Sequence, residues 1–160
     1  MSKFRSERQE ISAPNPQRFK FWDNFLALAE GRDLYADQKT PTRDSLYVRK
    51  WRGGIKRDPV AAIAYVINQH SSRVAFYTTR TEVYDELHKH KQEIESAFGE
   101  PLLWTRRESG LISRIAYDMS IGGYEDEADW DAIQAAMIDA MLRFENALSP
   151  HIANILSRRQ

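Results

Sequence analysis

The sequence predicts an α+β domain, a two-layer sandwich in which an antiparallel sheet of about five strands packs on three main helices. Three observations predict it. Residues 61–68 and 73–79, rich in β-branched and aromatic side chains, flank the polar link Gln69-His70-Ser71-Ser72, which is the pattern of a hairpin. A second pair, 102–105 and 112–117, turns at Glu108-Ser109-Gly110. Three other segments carry apolar residues at spacings of three and four, the period of a helix. The order is α-β-β-β-α-β-β-α.

Residues 1–16 read as a flexible N-terminal arm, polar and closed by Pro14 and Pro16. Residues 17–160 read as one domain. Its first helix starts after Pro16, a favoured helix-opening residue, and places Phe19, Trp22, Phe25, Leu26 and Ala29 on one face before Gly31 ends it. Residues 44–51 form a short strand, and Gly53-Gly54 turns the chain into the first hairpin. The second helix opens at Arg80 or Thr81, presents Val83, Leu87, Ile94, Ala97 and Phe98, and stops at Gly99 and Pro101. The third follows Glu125-Asp126-Glu127, acids suited to the positive end of a helix dipole. Its stripe is Trp130, Ile133, Met137, Ala140, Met141, Phe144 and Leu148, and Pro150 is expected to break it. Alternation on the strands puts Ile63, Val74, Phe76 and Ile115 on one sheet face. Tyr65, Tyr77 and Arg114 are expected on the other.

Composition narrows the function classes. A chain of 160 residues buries roughly 70% of its unfolded surface, so it needs no staple to fold. The absence of cysteine removes disulfides, thiolate nucleophiles and zinc–thiolate sites. The charged N-terminus has no apolar run behind it, and no segment has the length of a membrane span, which makes the cytoplasm the expected location. Net charge is zero but uneven. Residues 1–60 hold 13 Lys/Arg against 8 Asp/Glu, and residues 115–148 hold 8 Asp/Glu against Arg143. The faces either help the two ends pack or form a basic patch for a polyanion.

Familiar chemistries find no support in the spacing. His88 and His90 are two apart on a helix and point to different sides, and His70 sits in a hairpin link, so the histidines, with His151, read as solvated surface. Gly53-Gly54 and Gly122-Gly123 open no phosphate-binding helix. Asp37-Gln38-Lys39 matches a metal-nuclease triplet by letter but lacks an upstream strand with the partner Asp. No catalytic residue, metal ligand or cofactor is assigned.

What remains is basic and aromatic. Arg49, Lys50, Trp51, Arg52, Lys56 and Arg57 surround the glycine pair. Arg73, Arg106, Arg107 and Arg114 lie on or beside the hairpins, with Tyr65, Tyr77 and Trp104 among them. Guanidinium groups grip phosphates and aromatic faces stack bases, so such a face suits nucleic acid. Tyr, Trp and Arg equally anchor protein interfaces. A third reading leaves the aromatics in the core and the arginines as solubilising surface.

The pattern of Phe21-Trp22-x-x-Phe25-Leu26, the strand at Ser45-Leu46, Arg73-Val74-Ala75-Phe76-Tyr77, then Lys91-x-x-Ile94-Glu95-x-Ala97-Phe98-Gly99-Glu100-Pro101-Leu102-x-Trp104, Ser113-Arg114-Ile115 and a last helix with Trp130 resembles a family of uncharacterised bacterial and archaeal domains. The likeness covers about residues 17–148, and 91–104 is its most specific part. Members of that family often follow domains similar to restriction-type nucleases. The resemblance implies a shared fold and a link to DNA processing or defence, and transfers no catalytic residue. The expectation is a non-catalytic accessory or binding domain whose partner is nucleic acid or a protein that processes it. The alternative is an oligomerisation or protein-interaction domain, in which the stripe from Trp130 to Leu148 packs on a second copy.

Overall fold

The structure is a computed structural model that describes residues 16–31, 47–55, 58–108 and 110–158. In chain order the elements are α1 (Pro16–Gly31), β1 (Tyr47–Ile55), β2 (Asp58–Ile67), β3 (Ser72–Thr78), α2 (Thr81–Lys89), α3 (Lys91–Phe98), β4 (Leu103–Thr105), β5 (Ser113–Met119), a 3-10 turn at Glu127–Asp129, and α4 (Trp130–Arg158). The strands form one antiparallel sheet in the order β1-β2-β3-β5-β4. The class is α+β, as the alternating and helical periods predict.

Strand parity makes the two sheet faces unlike. Ile63, Tyr65 and Ile67 of β2 stand opposite Phe76, Val74 and Ser72 of β3, which in turn stand opposite Ile115, Tyr117 and Met119 of β5. This face is buried under the helices. Phe25 of α1 meets Tyr65 edge-on at 4.7 Å, Phe98 of α3 meets Tyr117 at 4.9 Å, and Phe144 of α4 meets Phe98 at 6.0 Å. Trp130, Ile133, Met137, Ala140, Met141, Phe144 and Leu148 are all buried within the chain's own core. Gln134, fully buried, donates from Nε2 to the Phe21 carbonyl at 3.3 Å and ties α4 to α1. Among the described residues no helix is long and apolar enough to cross a membrane.

Several expectations are corrected. Tyr65 lies with Ile63 on the helix face, because residues two apart on a strand share a side. Its hydroxyl is driven up in pKa by burial, with Glu145 adding to the effect. The buried face of α1 is Phe21, Trp22, Phe25 and Leu26, whereas Phe19 is only half-buried. Gly53-Gly54 belongs to β1, where a register shift between them absorbs the irregularity in place of a turn. The helix expected over 81–98 divides at His90. No buried apolar residue lies between Leu87 and Ile94 to hold that turn, and the His90 N–H closes on the Leu87 carbonyl at 2.9 Å.

Pro150 does not end α4, which continues to Arg158. A proline inside a helix costs about 3 kcal/mol through a lost hydrogen bond and a clash with the preceding turn. Beyond it, Ile152 and Ile155 are buried at 4% and 6% exposure. Each contributes roughly 1.5–3 kcal/mol by leaving water, enough to offset the proline. Residues 1–15 of the expected N-terminal arm and the triplet Asp37-Gln38-Lys39 lie outside the described residues, and Pro16 opens α1.

The segment 91–104 is a latch. Glu95 accepts from the Leu102 N–H at 2.7 Å and from Trp104 Nε1 at 3.1 Å, fixing the start of β4 to α3. Gly99 closes α3 in the left-handed region, φ 101°, which a side chain resists. Glu100 then accepts from the Tyr117 hydroxyl at 2.9 Å and from Arg143 at 3.2 Å. Arg143 also donates to the Phe98 carbonyl and lies 4.5 Å over the Phe98 ring. After β5 the chain crosses the β2–β3 link, with the Tyr124 and Glu125 N–H groups donating to the Asn68 and Gln69 carbonyls.

Two stability predictions follow from these contacts. A Cβ on Gly123 would stand 2.0 Å from the Asn68 carbonyl oxygen, so Gly123→Ala must push two backbone segments apart. It should lower stability by at least about 1–3 kcal/mol in urea denaturation, the usual cost of overpacking. Glu95→Ala strands the Leu102 N–H and the Trp104 indole N–H, and should cost about 1–3 kcal/mol. An unchanged urea midpoint in either variant would contradict the packing described.

Candidate functional site

The other parity builds the sheet face on which no helix lies among the described residues. One row across the strands runs Arg52, Ala62, Tyr77, Arg114, Thr105. The next runs Arg49, Ala64, Ala75, Ala116, Leu103. The third runs Tyr47, Val66, Arg73, Asp118. Ala64, Ala75 and Ala116 are buried to within 1% exposure although no helix among the described residues covers them. The alanines of β2, β3 and β5 in the middle row form a floor between the two flanking rows. The floor carries arginines on both sides of it in sequence register.

Charge on this face is partly paired. Arg73 grips Asp118 with both arms of its fork, Nε to Oδ1 and Nη2 to Oδ2, the latter at 2.9 Å. That hydrogen bond raises the Arg73 pKa against the lowering effect of partial burial. Burial pushes the Tyr77 phenol up, and the neighbouring Arg73 and Arg114 pull it part of the way back. Arg114 is half-buried, and its Nε is sealed from solvent with no hydrogen-bond partner. A buried guanidinium N–H without an acceptor is costly.

The remaining expected site residues divide. Arg49 and Arg52 hold open-face register positions on β1. Trp51 stands opposite Ile63 with the helix-side parity, and Lys50 falls at a register shift. Lys56 and Arg57 lie outside the described residues. Trp104 stands opposite Ile115, also on the helix side, with its ring against Tyr84 and His88 at 6.1 and 5.3 Å. Arg106 is exposed and bidentate on Asp85, at 2.9 and 3.2 Å, which raises the arginine and lowers the carboxyl in pKa. Arg107 is exposed and its backbone N–H donates to Ser113 Oγ at 2.8 Å. The fold therefore gathers Arg73, Tyr77 and Arg114 with the β1 positions, and separates Tyr65 and Trp104 from them. Asp118, the acid that neutralises Arg73, was readable from its parity with Arg114 and Ala116, but its partner becomes visible only with the β3–β5 register.

At its paired positions on β2, β3 and β5, this face carries Asp118, Tyr77 and arginines as titratable groups. None of its described positions is a histidine. A cleft elsewhere, between β2 and the end of α4, is lined by Ile63, Glu145, Ser149, Ile152, Ala153 and Leu156 and has a volume of about 160 Å³. That is below the roughly 300 Å³ of typical small-molecule sites.

No curated protein matches the chain. Among solved structures, YbjN from E. coli, a candidate transcription regulator, is similar with 12% identity over 81% of this chain and 91% of that one. Its TM-score of 0.38 is too low to carry an argument about this chain. The family model described as "Domain of unknown function (DUF4268)" matches residues 17–152, and the chain belongs to that family.

Proposed function

We propose that the chain is a non-catalytic accessory domain of the cytoplasm that grips the phosphate backbone of a nucleic acid on the arginine-bearing face of its sheet. The observation that carries this reading is the gathering on one face of the half-buried Arg114, Arg73 and the β1 positions Arg49 and Arg52, which share its parity. With Tyr65 in the core and Trp104 under the helices, Tyr77 is left among the expected stacking residues on that face. The grip is then on phosphates, weakly selective for sequence and strongly sensitive to salt. The resemblance to domains that follow restriction-type nucleases fits a role in DNA processing or defence.

One observation favours a protein partner instead. Leu103, opposite Ala116 on the open face, is 48% exposed, and an apolar centre rimmed by arginine and tyrosine is the make-up of a protein interface.

Fluorescence anisotropy with single- and double-stranded oligonucleotides across a salt series separates the two. The nucleic-acid reading expects affinity that falls steeply with salt. Arg114→Ala should weaken binding to all sequences alike and reduce the logarithmic salt slope by about 0.7–0.9, one phosphate contact. No binding at low salt would discard this reading in favour of the protein partner.

A further inference from the structure

Sequence spacing keeps the histidines apart, but the fold brings two of them together. His90 sits at the joint of α2 and α3, in the N-cap position of α3, where Ser, Thr, Asp or Asn would normally accept a backbone N–H. It makes no such side-chain bond. Its Nδ1 instead faces Glu93 Oε1 at 3.6 Å, one turn along α3. His151 arrives from α4, directly after Pro150, and its Nε2 faces the other carboxylate oxygen, Oε2, at 3.9 Å. The two rings stack at 4.6 Å with 29° between their planes. One donor atom from each of the three residues lies within 4.8 Å of the others.

The separations are longer than hydrogen bonds and suit a shared ligand better than a network. Donors about 2.0–2.1 Å from a tetrahedral zinc ion stand roughly 3.3 Å from one another. Small rotamer adjustments, chiefly of the exposed Glu93, bring the three donors to that distance. Stacked neutral imidazoles gain little from each other, and protonated ones repel. A dication between their lone pairs and the carboxylate satisfies all three at once. The nearest lysine on α2 does not compete, since Lys89 is held by Glu86 at 2.7 Å. Glu93 and His151 stand on helices, and His90 on the hydrogen-bonded turn between α2 and α3, so the donors start from held backbone positions.

We propose that His90, Glu93 and His151 bind a transition-metal dication of the zinc type. Two imidazole nitrogens favour such an ion over Mg²⁺ or Ca²⁺, which prefer all-oxygen shells. With His90 42% and Glu93 70% exposed at their side chains, the fourth coordination position opens to water. The ion clamps the segment of α4 beyond Pro150 to α3.

The test is calorimetric titration of the chelator-stripped full chain with Zn²⁺, supported by Co²⁺ absorption, which reports coordination number and nitrogen ligation. The expected result is one ion per chain, with affinity that falls on acidification because a metal-bound imidazole must give up its proton. His90→Ala and His151→Ala should each weaken binding at least about tenfold, a change on the scale of a lost ligand. His70→Ala should leave it unchanged, because His70 lies near Glu125 and Asp126 at the β2–β3 link. Circular dichroism of each variant checks that it folds. The absence of stoichiometric binding, or binding that survives in folded His151→Ala and is lost in His70→Ala, would overturn the assignment.

Discussion

The burial of α4 against the β2–β3–β5 face is the constraint on which the rest of the structure depends. Ile63, Phe76 and Ile115 form a row of large side chains that only a long apolar helix can cover, and the stripe from Trp130 to Leu148 covers it. On β2, β3 and β5 the apolar residues Ile63, Ile67, Val74, Phe76, Ile115 and Met119 of that parity are buried. The opposite parity is then free to carry alanine and arginine, because it contributes little to the core. The division of labour between the faces comes directly from the two-residue repeat of a strand.

The latch at 91–104 serves that arrangement. Glu95 and Glu100 accept hydrogen bonds from β4, β5 and Arg143 of α4, so one short stretch holds two strands and two helices. This gives a physical reason for the specificity of that stretch in the family resemblance. Its charged residues, read alone, suggest surface chemistry. Their partners show them to be structural, with Gly99 and Pro101 shaping the path between them.

Elements with strong periodicity were legible in the sequence. The hairpins, the apolar stripe of α4 and the α+β class follow from spacing alone. Pro150 and His90 were not, for opposite reasons. A proline normally ends a helix, yet the buried Ile152 and Ile155 outweigh it, and that energy depends on what lies across the core. At His90 the apolar spacing from Leu87 to Ile94 continues a helical phase, while the absence of packing between them lets the helix break. For the site, Arg73, Tyr77 and Arg114 were visible as a basic and aromatic set. Tyr65 was misplaced by one step of parity, and Trp104 was placed among them although the β4–β5 register turns it to the helices. The approach of His90 to His151 is a tertiary fact with no local signal at all.

The sheet's two edges differ from its centre in a way that bears on how the chain behaves in a crowd. β4 offers three residues directly after Pro101 and Leu102, and β1 is interrupted by two register shifts, one between Arg49 and Trp51 and one at Gly53-Gly54. Neither presents the long, even row of unpaired amides and carbonyls that another strand needs as a template. Copies of the chain therefore have little to gain by zipping edge to edge into fibrils.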